Sequence, residues 1–411
     1  MPTPHPTLRF SDLRSTKRQR LAALHAPQRL HLTHNARGAF YQLLRSLPVS
    51  ERRTVVLPAF HCTALVEPAA RAGYDVSFYR VRPDFSVDFD DVRARMSPKV
   101  AVLLAIHYFG FPVDMAPFRE LAKQHGSFVV EDCAHSFLSR VEGGYVGHGG
   151  DFALFSYYKF APSLAGGGLG INLSEYAGSF TKHSLPLRER LVIGKRLLEW
   201  MFENSPRNPV SRAFLALERR RVSAKQAAPA DTAPSRFVDD PYLFREDLAL
   251  ASMPGICRRV LESCHWEIMK QARQRNYRRL AKLLRSSRML RPVFPELPEN
   301  VCPWAFPVLL EDRLAHEHRL RAQGVPLFTF GEVLHPLLAG SHDAAREDAE
   351  YLSRRLLLLP VHPQLSESDI HQIAERTNRF VSELEVSESS ANLTSAPSEH
   401  SVERIGKGSP A

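Results

Sequence analysis

Short apolar runs alternate with amphipathic segments along residues 31–172, and this alternation limits the possible folds more than any other feature. The apolar runs predict β-strands, because each is short, rich in branched and aromatic residues and bounded by turn-forming residues; they are 54–60, 75–81, 99–110 and 128–133. Between them, 114–126 predicts a helix that begins near Asp114 and ends at Gly126. Strands and helices that alternate at this spacing form an α/β fold with a mainly parallel central sheet between helices.

The alternation of strand and helix patterns changes after Asn172, which indicates more than one structural unit. The segment 180–228 has a basic helical pattern, and a proline-rich connection follows it at 229–244. The predicted units are an N-terminal arm (1–30), a large domain (31–244) that contains the basic helical insertion, a smaller C-terminal α/β domain (245–385) and a disordered tail (386–411). The tail prediction follows from its many Ser residues and its low apolar content.

Composition excludes several classes of protein. Of the 411 residues, 44% are hydrophobic, which is ordinary for a globular protein. No apolar run approaches the roughly 20 residues of a membrane span, and the N-terminus lacks a signal-peptide pattern, so we expect a cytoplasmic protein. The 5 cysteines form no CxxC pair, which predicts free thiols and no structural metal site.

The formal net charge of +10 predicts attraction to phosphate-bearing partners, which include nucleotide-linked substrates, nucleic acid and anionic lipid. No zinc finger or RNA-binding pattern accompanies the charge, so we expect no nucleic-acid partner. Peripheral contact of the 180–228 insertion with a membrane surface stays open at this stage.

One acid and one lysine follow two of the buried strands. Asp132 ends the strand FVVED, and Lys159 follows the apolar run 152–158. Open α/β sheets bind ligands at the carboxyl ends of their strands. A lysine there can form a Schiff base with an aldehyde, and an aspartate can pair with a pyridinium nitrogen. These are the two protein groups that pyridoxal phosphate (PLP) requires, so the pattern predicts a PLP site.

Other residues near these strand ends are candidates for binding the same cofactor. His135 could lie over the cofactor ring, and the Ser156 hydroxyl is a plausible phosphate ligand. A helix N-terminus also attracts phosphate, and the turn that contains Ala36 and Arg37 precedes a predicted helix. The glycine-rich turn 166–170 is a rival phosphate site, although we favour a tight strand entry there.

Three further residues lie at the ends of predicted strands. Phe60 and His61 follow the strand 54–60 and could stack on a cofactor ring, whereas a Phe at this position is more often part of the core. His107 follows the apolar part of 99–110 and is a candidate for the edge of the site.

Four segments together resemble the DegT/DnrJ/EryC1/StrS family of PLP-dependent sugar aminotransferases, which have the aspartate-aminotransferase fold (fold type I). They are LPAFHCTALVEPAARAGYDVSFYRV, IHYFGFPVDMAPFRELAKQHGSFVVEDCAHSF, GDFALFSYYKFAPSLAGGGLGIN and LLLLPVHPQLSESDIHQIAE. The likeness extends over roughly residues 31–375, and the EDCAH and GDFALFS…K…GG elements are specific only in combination.

The resemblance implies a role for each matching residue. Lys159 would bind the PLP aldehyde, Asp132 the ring nitrogen, His135 the ring, and Ser156, Ala36 and Arg37 the phosphate. It also implies a homodimer with active sites at the subunit interface and glutamate as the amino donor. Two departures concern local geometry: the loop between Ser156 and Lys159 is two residues shorter than the usual form, and Cys62 replaces a common stacking aromatic.

The sequence therefore predicts an aminotransferase that moves an amino group, from glutamate, to the keto group of a nucleotide-activated sugar used in polysaccharide or glycan synthesis. Two alternatives stay open. One is a PLP enzyme of the same fold that acts on an amino-acid-type or acyl-CoA substrate. The other is a non-catalytic basic scaffold that binds a membrane or nucleic acid.

Overall fold

The computed structural model describes both predicted domains, although not every residue of the chain. The described residues are 3–9, 12, 19–25, 28–48, 50–180, 182–205, 209, 244–340 and 343–394. Most of the proline-rich connection, the second half of the basic insertion and the end of the predicted tail lie outside these residues.

A seven-stranded sheet forms the centre of the large domain. Its strands and a small separate hairpin (β6 and β7) are β1 (Arg29–Thr33), β2 (Thr54–Pro58), β3 (Asp75–Tyr79), β4 (Val100–Ile106), β5 (Phe128–Asp132), β6 (Arg140–Val141), β7 (Gly144–Tyr145), β8 (Phe152–Ser156) and β9 (Gly167–Ile171). The spatial order is β1-β9-β8-β5-β4-β2-β3. The strands from β8 to β3 are parallel, and β9 is antiparallel to both of its neighbours. The predicted α/β class and the mainly parallel sheet are confirmed.

Helices connect the parallel strands and cover the sheet. They are α1 (Leu21–Leu24), α2 (Ala36–Ser46), α3 (Thr63–Arg71), α4 (Phe89–Arg95), α5 (Ala116–His125), α6 (Leu187–Glu203), α7 (Glu246–Ala249) and α8 (Gly255–Glu262). Every residue of β4 is buried, because helices on both faces exclude water from a central parallel strand. Gly126 ends α5 in the left-handed conformation, at φ 64°, as its position after the helical pattern predicts.

A smaller antiparallel sheet forms the centre of the C-terminal part. Its elements are α9 (Trp266–Leu283), β10 (Leu290–Pro292), β11 (Ala305–Leu310), α10 (Arg313–Ala322), α11 (Ala344–Arg355), β12 (Leu356–Pro360) and α12 (Glu367–Thr394). The strands pair in the order β10-β11-β12. Tyr277, Phe306, Leu357 and Phe380 belong to one buried core between this sheet and its helices.

The structure differs from the predicted boundaries in three places. The strand expected over 99–110 ends at Ile106, because the chain turns at Phe109 (φ 55°) and Gly110 (φ 111°). The sheet begins with β1 at Arg29, inside the predicted arm. The tail expected from residue 386 is helical as far as Thr394, because a low apolar content does not by itself end a helix.

The division of the chain at 244/245 stays a prediction, and the contacts of α7 bear on it. The Gln42 amide donates to the Ala249 carbonyl at 2.8 Å, and the Tyr41 hydroxyl donates to Glu246 at 2.6 Å. Helix α7 therefore packs on α2 of the large domain. Among the described residues, no helix is both long and apolar enough to cross a lipid bilayer.

Candidate active site

The candidate site lies at the carboxyl ends of β5 and β8, which are neighbours in the large sheet. Asp132 is the last residue of β5, and Ser156 is the last residue of β8. A single 3₁₀ turn, Tyr157–Lys159, follows β8 and carries the lysine. Because parallel strands end at one edge of the sheet, the sequence places both groups at the same edge, where α/β folds bind ligands.

Lys159 and Asp132 interact electrostatically across this edge. Burial holds the pKa of Asp132 above its ordinary value, and the charge of Lys159 and a hydrogen bond from the Ala134 amide offset part of that rise. That amide donates to the carboxylate at 2.9 Å. The local turn therefore fixes one carboxylate oxygen, and the lysine supplies the charge that favours the ionised form.

The neighbouring acid, Glu131, has a different environment. It is buried on the other side of β5, and it accepts hydrogen bonds from the Gly147 amide at 3.0 Å and from the Gly150 amide. The predicted site-edge residue His107 accepts from the Val113 amide through Nδ1 at 3.0 Å, so its Nε2 carries the proton donated to Glu131 at 2.9 Å. Glu131 and His107 therefore hold the loop before β8, on the side of the strand opposite to Asp132.

His135 lies beside Lys159 and is buried. Burial and the charge of Lys159 hold the pKa of His135 well below its ordinary value, so the ring is neutral. Its Nδ1 has no hydrogen-bond partner among the described atoms. A buried nitrogen without a partner is costly to maintain, so a ligand that supplies the missing hydrogen bond would be favoured here.

A cavity of about 550 Å³ lies at the N-terminus of α2, and Asn35, Arg37 and Tyr158 line it. Asn35 caps the helix by accepting from the Gly38 amide at 2.8 Å. The first turn of α2 and the Arg37 guanidinium make this end of the helix suitable for a phosphate. Ser156 is buried at the end of β8, and its role as a phosphate ligand stays a prediction.

The glycine-rich turn is a strand entry, as favoured from the sequence, because β9 begins at Gly167. A Cβ added at Gly167 would lie 2.2 Å from the Asn35 carbonyl carbon and 2.5 Å from the Ala36 nitrogen. Glycine at this position thus lets β9 approach the start of α2 closely. The Ala36 backbone lies against β9, and its phosphate-binding role stays a prediction.

Phe60 and His61 occupy different surroundings. Phe60 is fully buried and contacts Phe330 and Phe85 edge to face, which matches the core alternative raised for it. His61 bonds to the Pro58 carbonyl at 3.0 Å through Nδ1 and stacks on Phe78. None of these contacts involves Lys159 or Asp132, and the binding roles predicted for both residues stay predictions.

Two residues of the C-terminal part reach the site without having been predicted. The Trp304 ring lies 4.8 Å from Lys159 Nζ, and the buried Arg273 guanidinium donates to the Phe160 carbonyl at 3.0 Å. Both lie far from Lys159 in the sequence. In the sequence, Arg273 and Trp304 are a basic residue and an aromatic residue next to apolar segments. That pattern does not predict a contact with the segment that carries Lys159.

The residues at this edge fit pyridoxal phosphate. Lys159 offers an amine next to the Asp132 carboxylate, and the unpartnered His135 Nδ1 offers a hydrogen bond in the same place. A helix N-terminus with Arg37 opens on a cavity next to Tyr158, one residue before the lysine. The donor set therefore contains a group for the aldehyde, one for the ring nitrogen and one for the phosphate.

Comparison with known proteins shows similarity to one family over part of the chain and to a known fold over most of it. Residues 19–171 match the model of the DegT/DnrJ/EryC1/StrS aminotransferase family. A GDP-perosamine synthase of Escherichia coli O157:H7 is 31% identical over 125 residues, which are 30% of this chain and 34% of that protein. A dTDP-3-amino-3,4,6-trideoxy-alpha-D-glucose transaminase of Micromonospora megalomicea subsp. nigra is 33% identical over 125 residues, 30% of this chain and 33% of that protein. The matched part spans about a third of the length of these relatives.

Similarity in structure extends over most of the chain. The crystal structure of the aminotransferase TlmJ from Streptoalloteichus hindustanus superposes with a TM-score of 0.61 at 21% identity, and the match covers 87% of this chain and 86% of that one. The chain therefore has the fold of that structure, and the α/β class predicted from the sequence is confirmed.

Proposed function

We propose, from the match of residues 19–171 to the model of the DegT/DnrJ/EryC1/StrS aminotransferase family, that the protein is a PLP-dependent aminotransferase. It moves an amino group from a donor, glutamate, to the keto group of a nucleotide-activated sugar. The observation that supports the proposal is the position of Lys159 and Asp132 at the adjacent ends of β8 and β5, where the charge of the lysine lowers the pKa of the acid.

The substrate class rests on the names of the relatives and on charge. The two relatives are named for a GDP-linked and a dTDP-linked sugar. The net charge of +10 favours an acceptor with a negatively charged diphosphate. Both observations support a nucleotide-activated sugar as the acceptor in glycan synthesis.

In this proposal PLP, when bound, would supply an aldehyde that exchanges amino groups and a ring that accepts electrons. Asp132 would bind the ring nitrogen and favour a proton there, and the nearby charge of Lys159 favours the ionised form of this acid. Lys159 would bind the aldehyde through Nζ and, when not bound to it, would serve as the base that moves a proton. His135 would lie over the ring as a neutral imidazole, and Arg37 with the first turn of α2 would hold the phosphate.

The proposal includes a homodimer in the cytoplasm, as the family resemblance implies. A second copy would contribute residues to each active site, so loss of the dimer would lower activity. Sedimentation of the purified protein across a concentration range tests this part independently of the chemistry.

Covalent trapping tests the role of Lys159. The purified protein is incubated with PLP and reduced with borohydride, and the peptides are mapped by mass spectrometry. We expect a visible absorption band, a label on Lys159, and loss of both in Lys159→Ala. Lys123→Ala, which removes an exposed lysine from α5, should keep both. A colourless protein, or a label on another lysine only, would contradict the proposal.

An acceptor panel then distinguishes the substrate classes. The PLP-loaded protein is converted with glutamate, and its return to the original spectrum is followed with keto sugars linked to GDP, dTDP or UDP, with free keto sugars, and with amino-acid-type aldehydes. We expect the original spectrum to return only when a nucleotide-linked keto sugar is added. Return with the aldehydes alone would favour the non-sugar alternative.

A further inference from the structure

Trp304 brings an aromatic ring from the C-terminal part to the face of the candidate lysine. Its ring centroid lies 4.8 Å from Lys159 Nζ, in a cation–π geometry. The same ring stacks on His135, with centroids 4.0 Å apart and planes inclined by 17°. Phe109 lies nearly parallel to Trp304 at 6.5 Å. One side chain thus contacts two of the residues proposed to bind PLP.

Arg273 fixes the backbone of Trp304 to the segment that carries Lys159. Its Nη1 donates to the Trp304 carbonyl at 3.0 Å. Its Nη2 donates to the Phe160 carbonyl at 3.0 Å, with the Lys159 carbonyl further away at 3.4 Å. A guanidinium is planar and carries N–H donors in fixed directions, so the Arg273 side chain can bind both carbonyls at once. The bridge therefore sets the spacing between the tryptophan and the lysine.

The opposite side of Trp304 is held by the strained turn after β4. The Trp304 amide donates to the Phe109 carbonyl at 2.8 Å, and Phe109 itself has a positive φ of 55°. A Cβ at the next residue, Gly110, would lie 2.3 Å from the Cys302 carbonyl oxygen. A bulky residue in this backbone conformation is costly. This cost indicates that the close approach of the turn at Phe109–Gly110 to the segment before Trp304 is maintained for a reason other than packing alone.

We propose that Trp304 is a positioning residue for PLP binding, whose ring face orients Lys159 Nζ and keeps His135 in place. The inference rests on the proposed function, because the orientation matters only if Lys159 binds the cofactor. The physical basis is the attraction between a cationic nitrogen and the negative face of an indole, combined with the preference of aromatic rings for stacked contacts.

Replacing Trp304 with a residue that has no aromatic ring should weaken PLP binding and leave the bound cofactor less rigidly held. We expect the PLP dissociation constant of Trp304→Leu, measured by equilibrium dialysis, to rise roughly 3- to 30-fold. The visible circular dichroism of the bound cofactor should also fall, because it reports how rigidly the protein holds the ring. Trp304→Phe, which keeps a π face, should stay close to the wild-type protein in both measurements.

Trp200→Leu is the matched control, because Trp200 is a half-buried tryptophan of α6, whereas the indole over Lys159 is that of Trp304. It should bind PLP as the wild-type protein does. Wild-type affinity and dichroism in Trp304→Leu would overturn the inference. Equal losses in Trp304→Phe and Trp304→Leu would also overturn it. If the leucine variant fails to fold, Trp304→Phe still tests the inference, because a large loss of PLP affinity in that variant would contradict it. A wild-type protein that binds no PLP would instead refute the proposed function itself, and this inference with it.

Discussion

Two adjacent carboxylates at the end of β5 have opposite environments. Glu131 is held by hydrogen bonds from His107 and from the amides of Gly147 and Gly150. Burial raises the pKa of Glu131, but these hydrogen bonds outweigh it and hold the pKa below its ordinary value. Asp132 instead accepts one amide and faces the charge of Lys159. The first acid stabilises the fold, whereas the second is available for chemistry.

Matched amide substitutions should separate these two roles. Asp132→Asn should lower the rate of amino transfer by roughly two orders of magnitude or more, because it removes a preorganised charge, with little loss of stability. Glu131→Gln should cost about 1–3 kcal/mol in the free energy of unfolding, because buried donors lose an ionic acceptor. Urea unfolding and single-turnover kinetics of both variants measure the two effects, and the reverse pattern would contradict the assignment.

The difference in stability between the wild-type protein and Glu131→Gln should depend on pH, and the pKa shift of Glu131 sets the direction. Its pKa is lower in the folded than in the unfolded protein, so its contribution is present above the unfolded value and is lost as the pH falls through the folded value. The gap in unfolding free energy between wild type and Glu131→Gln should therefore be largest near neutral pH and narrow below about pH 4.5.

The sequence indicated some site residues and not others for a physical reason. Lys159 and Asp132 could be predicted because the end of a buried strand is a local pattern, and one sheet edge collects such ends. Trp304 and Arg273 could not, because their contacts join distant parts of the chain; Arg273 and Lys159 are 114 residues apart. Their positions depend on how the two sheets pack, which no local pattern records.

At the scale of elements, the contact between β9 and α2 connects the central sheet to the proposed phosphate site. Gly167 is paired with Thr33 of β1 and with Ser156 of β8. The Asn35–Ala36 peptide lies directly above it. Since a side chain does not fit between them, the small size of Gly167 determines how near the first turn of α2 comes to the end of β8.

Gly167→Ala should therefore move the start of α2 and weaken PLP binding. The Cβ would lie within 2.2 Å of the Asn35 carbonyl carbon, and backbone cannot yield as a flexible side chain does. We expect a loss of about 1–3 kcal/mol in stability together with weaker retention of PLP in gel filtration. Gly194→Ala in α6, where no atom lies within 4 Å of the added Cβ, should be neutral or stabilise by up to about 1 kcal/mol. Equal behaviour of the two variants would contradict the close-approach argument.

The observed helix boundaries agree with the sequence pattern where a capping residue is present. Helix α5 ends at His125 because Gly126 adopts a left-handed conformation, and Ser366 bonds to the Asp369 amide at 3.1 Å near the start of α12. Strand β1 has no such marker, because it pairs with β9 of the same sheet, more than a hundred residues later in the chain. Helix α12 ran beyond its predicted end because a low apolar content does not by itself stop a helix.

For the whole molecule, buried neutral histidines determine the response to acid. Burial lowers the pKa of His25 to about 3 and that of His34, His61 and His362 to about 4, against an ordinary value of 6.5. The unfolded chain therefore takes up protons at a pH where the folded protein does not. By linkage, stability is unaffected above about pH 6.5 and falls as the pH drops from there towards 4.

His61 offers the sharpest test of this behaviour, because it is completely buried and lies outside the proposed site contacts. Its share of the acid sensitivity is about 1.4 kcal/mol per pH unit between 6.5 and 4. His61→Phe can keep the stacking on Phe78 but cannot take up a proton, so it should lose stability more slowly than the wild-type protein as the pH falls. Urea unfolding at half-unit steps measures the two slopes. His318→Phe, which replaces an exposed histidine of α10, should follow the wild-type slope. If His61→Phe also followed it, the acid sensitivity would have to come from the other buried histidines.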